Sequence, residues 1–132
     1  TAAETGHLVF GTLHTNSAPE TIDRIIDAYP HDQQAQVRTM LSTSLAAVIT
    51  QTLIRKERGP GRVAAHEIMI CTSAIRNLIR ENKLHQIPSI MQASKSDGMQ
   101  LMASSVRDLV ERGLVSRQRA ISIMNNPRLF DE

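Results

Sequence analysis

The triplet Gly59-Pro60-Gly61 constrains this chain more than any other feature. Two glycines around a proline, preceded by Arg58, mark a turn through which neither a helix nor a strand continues. Residues 48–54 before it, Val-Ile-Thr-Gln-Thr-Leu-Ile, are β-branched and Thr-rich and read as a strand. Residues 62–70 after it, Arg-Val-Ala-Ala-His-Glu-Ile-Met-Ile, read as the returning strand of a hairpin.

Upstream, Leu8-Val9-Phe10-Gly11-Thr12-Leu13 is a near-continuous apolar run. Such a run suits a strand buried on both faces, as in a parallel sheet covered by helices. The polar residues 14–17 then lead into a helix. Ser17-Ala18-Pro19-Glu20 reads as a capping box, and Ile22, Ile25, Ile26 and Tyr29 form its apolar stripe. A second helix is expected over residues 33–46. From Thr72 onward the pattern is helical throughout. Thr72 is expected to cap a helix bearing Ile75, Leu78 and Ile79, and a short helix follows around residues 88–93. Asp97 is expected to cap a longer helix stopped by Gly113, and Ser116 to open the last one. The fold class is therefore α/β, a parallel strand and an antiparallel hairpin followed by a small all-helical bundle. The seam is expected at Cys71, dividing residues 1–71 from 72–132.

Composition narrows the function. Apolar residues make up 41% of the chain, yet its aromatics are only Phe10, Tyr29 and Phe130. The core is thus built from Ile, Leu, Val, Ala and Met, which disfavours a stacking surface for single-stranded nucleic acid. The formal charge of +2 is mild, and no Lys/Arg run exceeds two residues. A single cysteine, Cys71, closes no intramolecular disulfide and builds no thiolate zinc site, which fits a reducing compartment. No apolar run approaches the roughly 20 residues that span a bilayer. The opening Thr1-Ala2-Ala3-Glu4 does not read as a signal peptide, and the start in mid-pattern is read as that of a fragment.

The candidate chemistry lies at the end of the first apolar run. Ligands of open α/β sheets bind outside the carboxyl ends of strands, and a helix N-terminus follows His14 and Thr15 directly. One reading has His14 contacting a phosphate, with Thr12 and Thr15 as supporting donors. The other has a strand-end histidine satisfied by a backbone carbonyl. No His-x-x-x-His pair occurs, so no metal site is expected, and no Gly-x-x-x-x-Gly-Lys-Ser/Thr loop is present to cradle a triphosphate. The segment Ala74-Ile75-Arg76-Asn77-Leu78-Ile79-Arg80-Glu81 is amphipathic. Arg76 and Arg80 lie four apart on its polar side. That side reads either as a solvated face or as a docking surface.

Residues 3–15, Ala-Glu-Thr-Gly-His-Leu-Val-Phe-Gly-Thr-Leu-His-Thr, resemble the histidine box of the secretion ATPases, a RecA-like P-loop superfamily that works as hexameric rings. Residues 61–69 and 74–81 resemble in particular its type IV pilus retraction (twitching motility, PilT-like) branch. The resemblance covers most of residues 1–81 and weakens beyond residue 92. It implies that the chain is the C-terminal part of the RecA-like core plus the helical bundle. The phosphate-binding loop and Walker B Glu would then lie upstream, leaving the fragment alone inactive and without bound nucleotide. His14 would match the γ-phosphate histidine, and His7 the other histidine of the box. Residues 74–81 would match the motif needed for retraction but not for hydrolysis.

Several further expectations follow from the resemblance. The cofactors would be ATP and Mg2+. The partners would be copies of the chain in a hexamer and an inner-membrane pilus platform protein, with no nucleic acid. The place would be cytoplasmic, peripheral at the inner-membrane pilus base. Assembly and type II secretion ATPases commonly carry a zinc-binding tetracysteine insertion, and the single Cys71 weighs against them. A fragment of such an assembly or secretion ATPase, or a non-enzymatic helical binding module using Arg55, Lys56, Arg58 and Arg62, remain the alternatives.

Overall fold

The hairpin forms where the turn demands it. In the computed structural model, which describes residues 1–131, β1 (Ala47–Arg55) pairs antiparallel with β2 (Arg62–Ile70). The register runs from Ala47 opposite Ile70 to Arg55 opposite Arg62. Gly59 and Gly61 take φ of 74° and 99°, values that strain any residue with a Cβ. Alternation along the strands puts Val48, Thr50, Ile54, Ala65, Glu67 and Met69 on one buried face.

Six α-helices pack around this hairpin among the described residues: α1 (Ala18–Asp27), α2 (Gln34–Ser44), α3 (Ser73–Arg80), α4 (Ile87–Ala93), α5 (Met102–Glu111) and α6 (Arg117–Met124). They divide the apolar interior in two. Val48 and Met69, at one end of the hairpin, join Ile22 and Ile26 of α1, Ile75 and Ile79 of α3 and Met91 of α4. Ile54 and Ala65, at the other end, join Val106 and Leu109 of α5, Ala120 of α6 and Leu129 of the tail. Both clusters draw residues from each side of Cys71, so packing runs across the point where strands give way to helices.

Thr72 takes the N-cap position of α3 as expected, but its side chain accepts no capping hydrogen bond. Two other local expectations fail, each for a physical reason. Residues 8–13 form no strand. The backbone N–H groups of residues 8–15 find no backbone acceptor among the described residues, and the sheet has two strands only. An extended segment without a neighbouring strand has no ladder to hold it, so Leu8 and Phe10 stand 84% and 88% exposed. Asp97 caps no long helix either. It closes a single 3-10 turn at Gly98, after which Gln100 pairs with Ile68 as a one-residue extension of the sheet. Helix α5 begins only at Met102.

The start of α5 then lacks a cap of its own, because Leu101 offers no side-chain acceptor. Glu67 supplies one from β2. Its Oε2 accepts from Met102 N at 3.0 Å, while its Oε1 accepts from Ala18 N, the first residue of α1, at 2.8 Å. One carboxylate, 7% exposed, thus joins the N-termini of two helices, whose dipoles both favour negative charge there. Glu67→Ala leaves two buried donors without partners and should cost about 3 kcal/mol or more, read as a lower urea midpoint at unchanged slope. Glu67→Gln, which keeps one acceptor oxygen, should fall between. A wild-type midpoint for Glu67→Ala would show that the helices are held by their apolar faces alone.

Candidate functional site

The segment leading into α1 carries the histidines and threonines singled out from the sequence. Ser17 caps α1, its Oγ accepting from Glu20 N at 3.2 Å. Glu20 returns the bond to Asn16 N at 3.0 Å rather than to Ser17 N, so the capping box is displaced by one residue. Pro19 has no N–H, and Ala18 N is held by Glu67. The first turn of α1 therefore has no donor left for an external anion. The free helix N-terminus expected beside His14 is already occupied, and the anion there is the chain's own carboxylate.

Thr21 Oγ1 donates to Ser17 O at 2.9 Å, so in its 2.6 Å contact with Thr15 Oγ1 it is the acceptor. Thr15 then spends its hydroxyl proton inside the fold, holding the segment against α1. The same logic applies to His7. Thr5 Oγ1 donates to Ala2 O at 2.8 Å, which leaves His7 Nδ1 to act as donor in its contacts of 3.0 Å with Thr5 Oγ1 and 3.2 Å with Ala2 O. Thr12 and His14 are exposed. No hydrogen bond joins His14 to His7, Thr12 or Thr15 among the described residues. The segment thus holds out the His14 imidazole without an internal partner among the described residues, but no cradle of converging donors, and the described residues do not by themselves fit a nucleoside triphosphate.

Helix α3 carries the second candidate. Ile75 and Ile79 are fully buried and Leu78 is half-buried against the same core, as expected. The polar side splits in a way that spacing along the helix does not reveal. Arg76 Nη1 donates to Ser42 O at 2.7 Å and Thr43 O at 3.1 Å. Its guanidinium caps the C-terminus of α2, where orphan carbonyls and the helix dipole both favour a cation. Arg76 is therefore not part of a freely solvated face. Asn77, Arg80 and Glu81 are exposed: Arg80 Nη1 donates to Asn77 Oδ1 at 2.9 Å, and Glu81 pairs with Lys83 at 3.1 Å. Just ahead of this helix, burial pushes the Cys71 thiol above its ordinary pKa, against a smaller opposing pull from Arg76.

Two residues of consequence escaped the motif reading. Glu67 sits at the parity of Ala65 and Met69, so a charge on the core-facing side of β2 was legible as an anomaly. Arg119 donates to Arg55 O at 3.2 Å and Lys56 O at 3.1 Å, a contact that no local pattern announces.

Comparison with known proteins gives one answer along the chain. Residues 1–60 match the family described as type II/IV secretion system protein. The type IV pilus retraction ATPase PilT of Pseudomonas aeruginosa is 61% identical over 130 residues, covering 98% of this chain and 38% of that protein. A twitching motility protein of Neisseria gonorrhoeae is 55% identical over 120 residues, covering 91% of this chain and 32% of that one. The crystal structure of the pilus retraction motor PilT with bound ADP matches with a TM-score of 0.84 at 50% identity, over 96% of this chain and 35% of that one. The chain thus spans about a third of the length of these relatives. Residues 1–60 thus carry the type II/IV secretion system protein match, and nearly the whole chain aligns with pilus-retraction proteins and shares the fold of the matching third of the retraction motor.

Proposed function

We propose that this chain is part of a hexameric ATPase motor that retracts type IV pili. The observation that carries the reading is the 61% identity to the retraction ATPase, over a span taking in both the histidine box and residues 74–81. In this reading residues 1–71 belong to the RecA-like core and residues 72–132 to the helical bundle. The phosphate-binding loop, the Walker B Glu and the Mg2+ site are supplied by residues outside these 132. The motor works at the cytoplasmic side of the inner membrane against a pilus platform protein. No described helix is long and apolar enough to cross a membrane. The exposed run of residues 8–13 supports a strand completed by the rest of the core, since apolar side chains as exposed as Leu8 and Phe10 fit a covered surface.

Within that motor we assign His14 to the γ-phosphate, because it is exposed and carries no internal hydrogen bond among the described residues. Thr12 lies beside it on the same segment. Thr15 and His7, whose donors are already engaged, order that segment rather than bind phosphate. The chain alone is expected to show no ATP turnover. In the full motor His14→Ala should lower turnover by roughly a hundredfold with an unchanged melting temperature. Turnover by the chain alone, or a His14→Ala motor of normal activity, would sink the assignment.

Residues 74–81 are the transmission in this reading, and the contact of Arg76 with α2 changes how they are tested. Arg80→Ala with Glu81→Ala removes only exposed groups and should shift stability by about 0.5 kcal/mol or less. The expected motor with this pair changed still releases phosphate but fails to retract pili in cells. Arg76→Ala removes two charge-assisted bonds at a helix end and should cost about 1–3 kcal/mol in addition. Its retraction phenotype therefore has to be read against a melting curve. Normal retraction in the Arg80 and Glu81 double variant would leave the helix as scaffolding.

A further inference from the structure

The tip of the hairpin concentrates positive charge in a way that neither the fold nor the proposed motor activity requires. Arg55 and Arg62 are directly opposite each other on the last rung of the ladder. Like charges in that position repel and weaken the pairing. Lys56 follows Arg55, and α6 adds a fourth cation from far along the chain, since Arg119 Nη1 donates to the carbonyls of Arg55 and Lys56. These four side chains, with Gly59, Pro60 and Gly61, line a single cavity of about 390 Å³.

No acidic residue is among those lining it. The ion pairs of the described residues join Arg24 to Glu20, Lys83 to Glu81 and Arg112 to Asp108, and none involves the four cations. Among the described residues no ion pair neutralises these four cations. The turn is also held in place. Lys56 N donates to Gly61 O at 3.2 Å within the hairpin, and Glu57 N to Leu114 O at 2.9 Å, which ties the tip to the loop between α5 and α6. Four cations lining one small cavity, one of them held in place by backbone carbonyls, suit a compact multiply charged anion, and guanidinium forks match phosphate oxygens in bidentate geometry.

We propose that this cavity is a binding site for a phosphate-bearing anion, separate from the histidine segment and independent of the assignment of His14. The size and the number of cations fit a diphosphate group better than a single phosphate. The group is either that of a soluble phosphate compound or that of anionic lipid headgroups. The anion relieves the Arg55–Arg62 repulsion, so binding stabilises the hairpin.

The test uses inorganic pyrophosphate with the chain, read by titration calorimetry and by melting temperature. The expected result is binding that weakens with salt and raises the melting temperature. Arg55→Gln with Arg62→Gln removes the opposed pair without touching the Arg119 contacts, which are to backbone. It should weaken binding by about tenfold or more. The same variant should melt no lower than wild type in the absence of ligand, which separates loss of a site from loss of fold. A second arm measures co-sedimentation with vesicles of anionic phospholipid against vesicles of phosphatidylcholine. Arginine-dependent binding to the anionic vesicles alone assigns the phosphate to lipid, and binding to pyrophosphate alone assigns it to a soluble compound. Absence of binding in both arms up to millimolar pyrophosphate would overturn the proposal. So would equal binding by the double variant, or arginine-dependent binding confined to duplex DNA. Because His14 plays no part, a failed nucleotide assignment leaves this outcome untouched.

Discussion

Glu67 is where the two halves of the interior meet. Its rung with Thr50 is the polar step between an apolar cluster built on Val48 and Met69 and another built on Ile54 and Ala65. At that step the N-termini of α1 and α5 converge on one carboxylate. Burying a charge is costly unless its lone pairs are engaged, and here two backbone N–H groups and two helix dipoles engage them. The arrangement sets where α1 begins, and so where the segment carrying Thr12, His14 and Thr15 enters the fold. It also lets α5 start at Met102 without a capping side chain of its own. The placement of the candidate site thus depends on a residue that forms no part of it.

The same bond accounts for what the site lacks. A helix N-terminus beside a histidine invites a phosphate, but here the first turn of α1 is satisfied internally by Glu67, Ser17 and a proline without an N–H. The threonines follow suit, with Thr15 committed to Thr21. His14 is left as an exposed imidazole on an extended segment. In the proposed motor such a group would complete a site whose other parts are supplied by residues outside these 132. The helix cap at Arg76 follows a related logic at the opposite pole of a helix. A cation from α3 answers the carbonyls at the end of α2, and this ties α3 to α2.

The legible and illegible parts of the structure divide by range. Turn chemistry and alternation act over a few residues, so the hairpin was readable to within one residue at each end, from Gly59-Pro60-Gly61 outward. The caps Ser17 and Ser116 and the stop at Gly113 are local in the same sense. Asp97 misled because a good capping residue says nothing about whether the next residues are recruited elsewhere, and Gln100 was taken up by Ile68. The run of residues 8–13 misled differently. Its composition is that of a buried strand, but a strand is a property of a pair, and no second strand lies beside it among the described residues.

The sequence by itself determined the α/β class, the hairpin and the helical second half, and it displays the strings at residues 3–15 and 74–81 that resemble the secretion ATPases. These depend on patterns that are periodic or contiguous, which a single chain displays directly. Only the tertiary structure decided which polar groups remain available. Glu67 with the two helix ends, Arg76 with the end of α2, and Arg119 with Arg55 and Lys56 all pair groups more than 30 residues apart. A hydrogen bond at 3 Å depends on where two distant segments are brought by burial of their apolar faces, and no spacing along the chain records that.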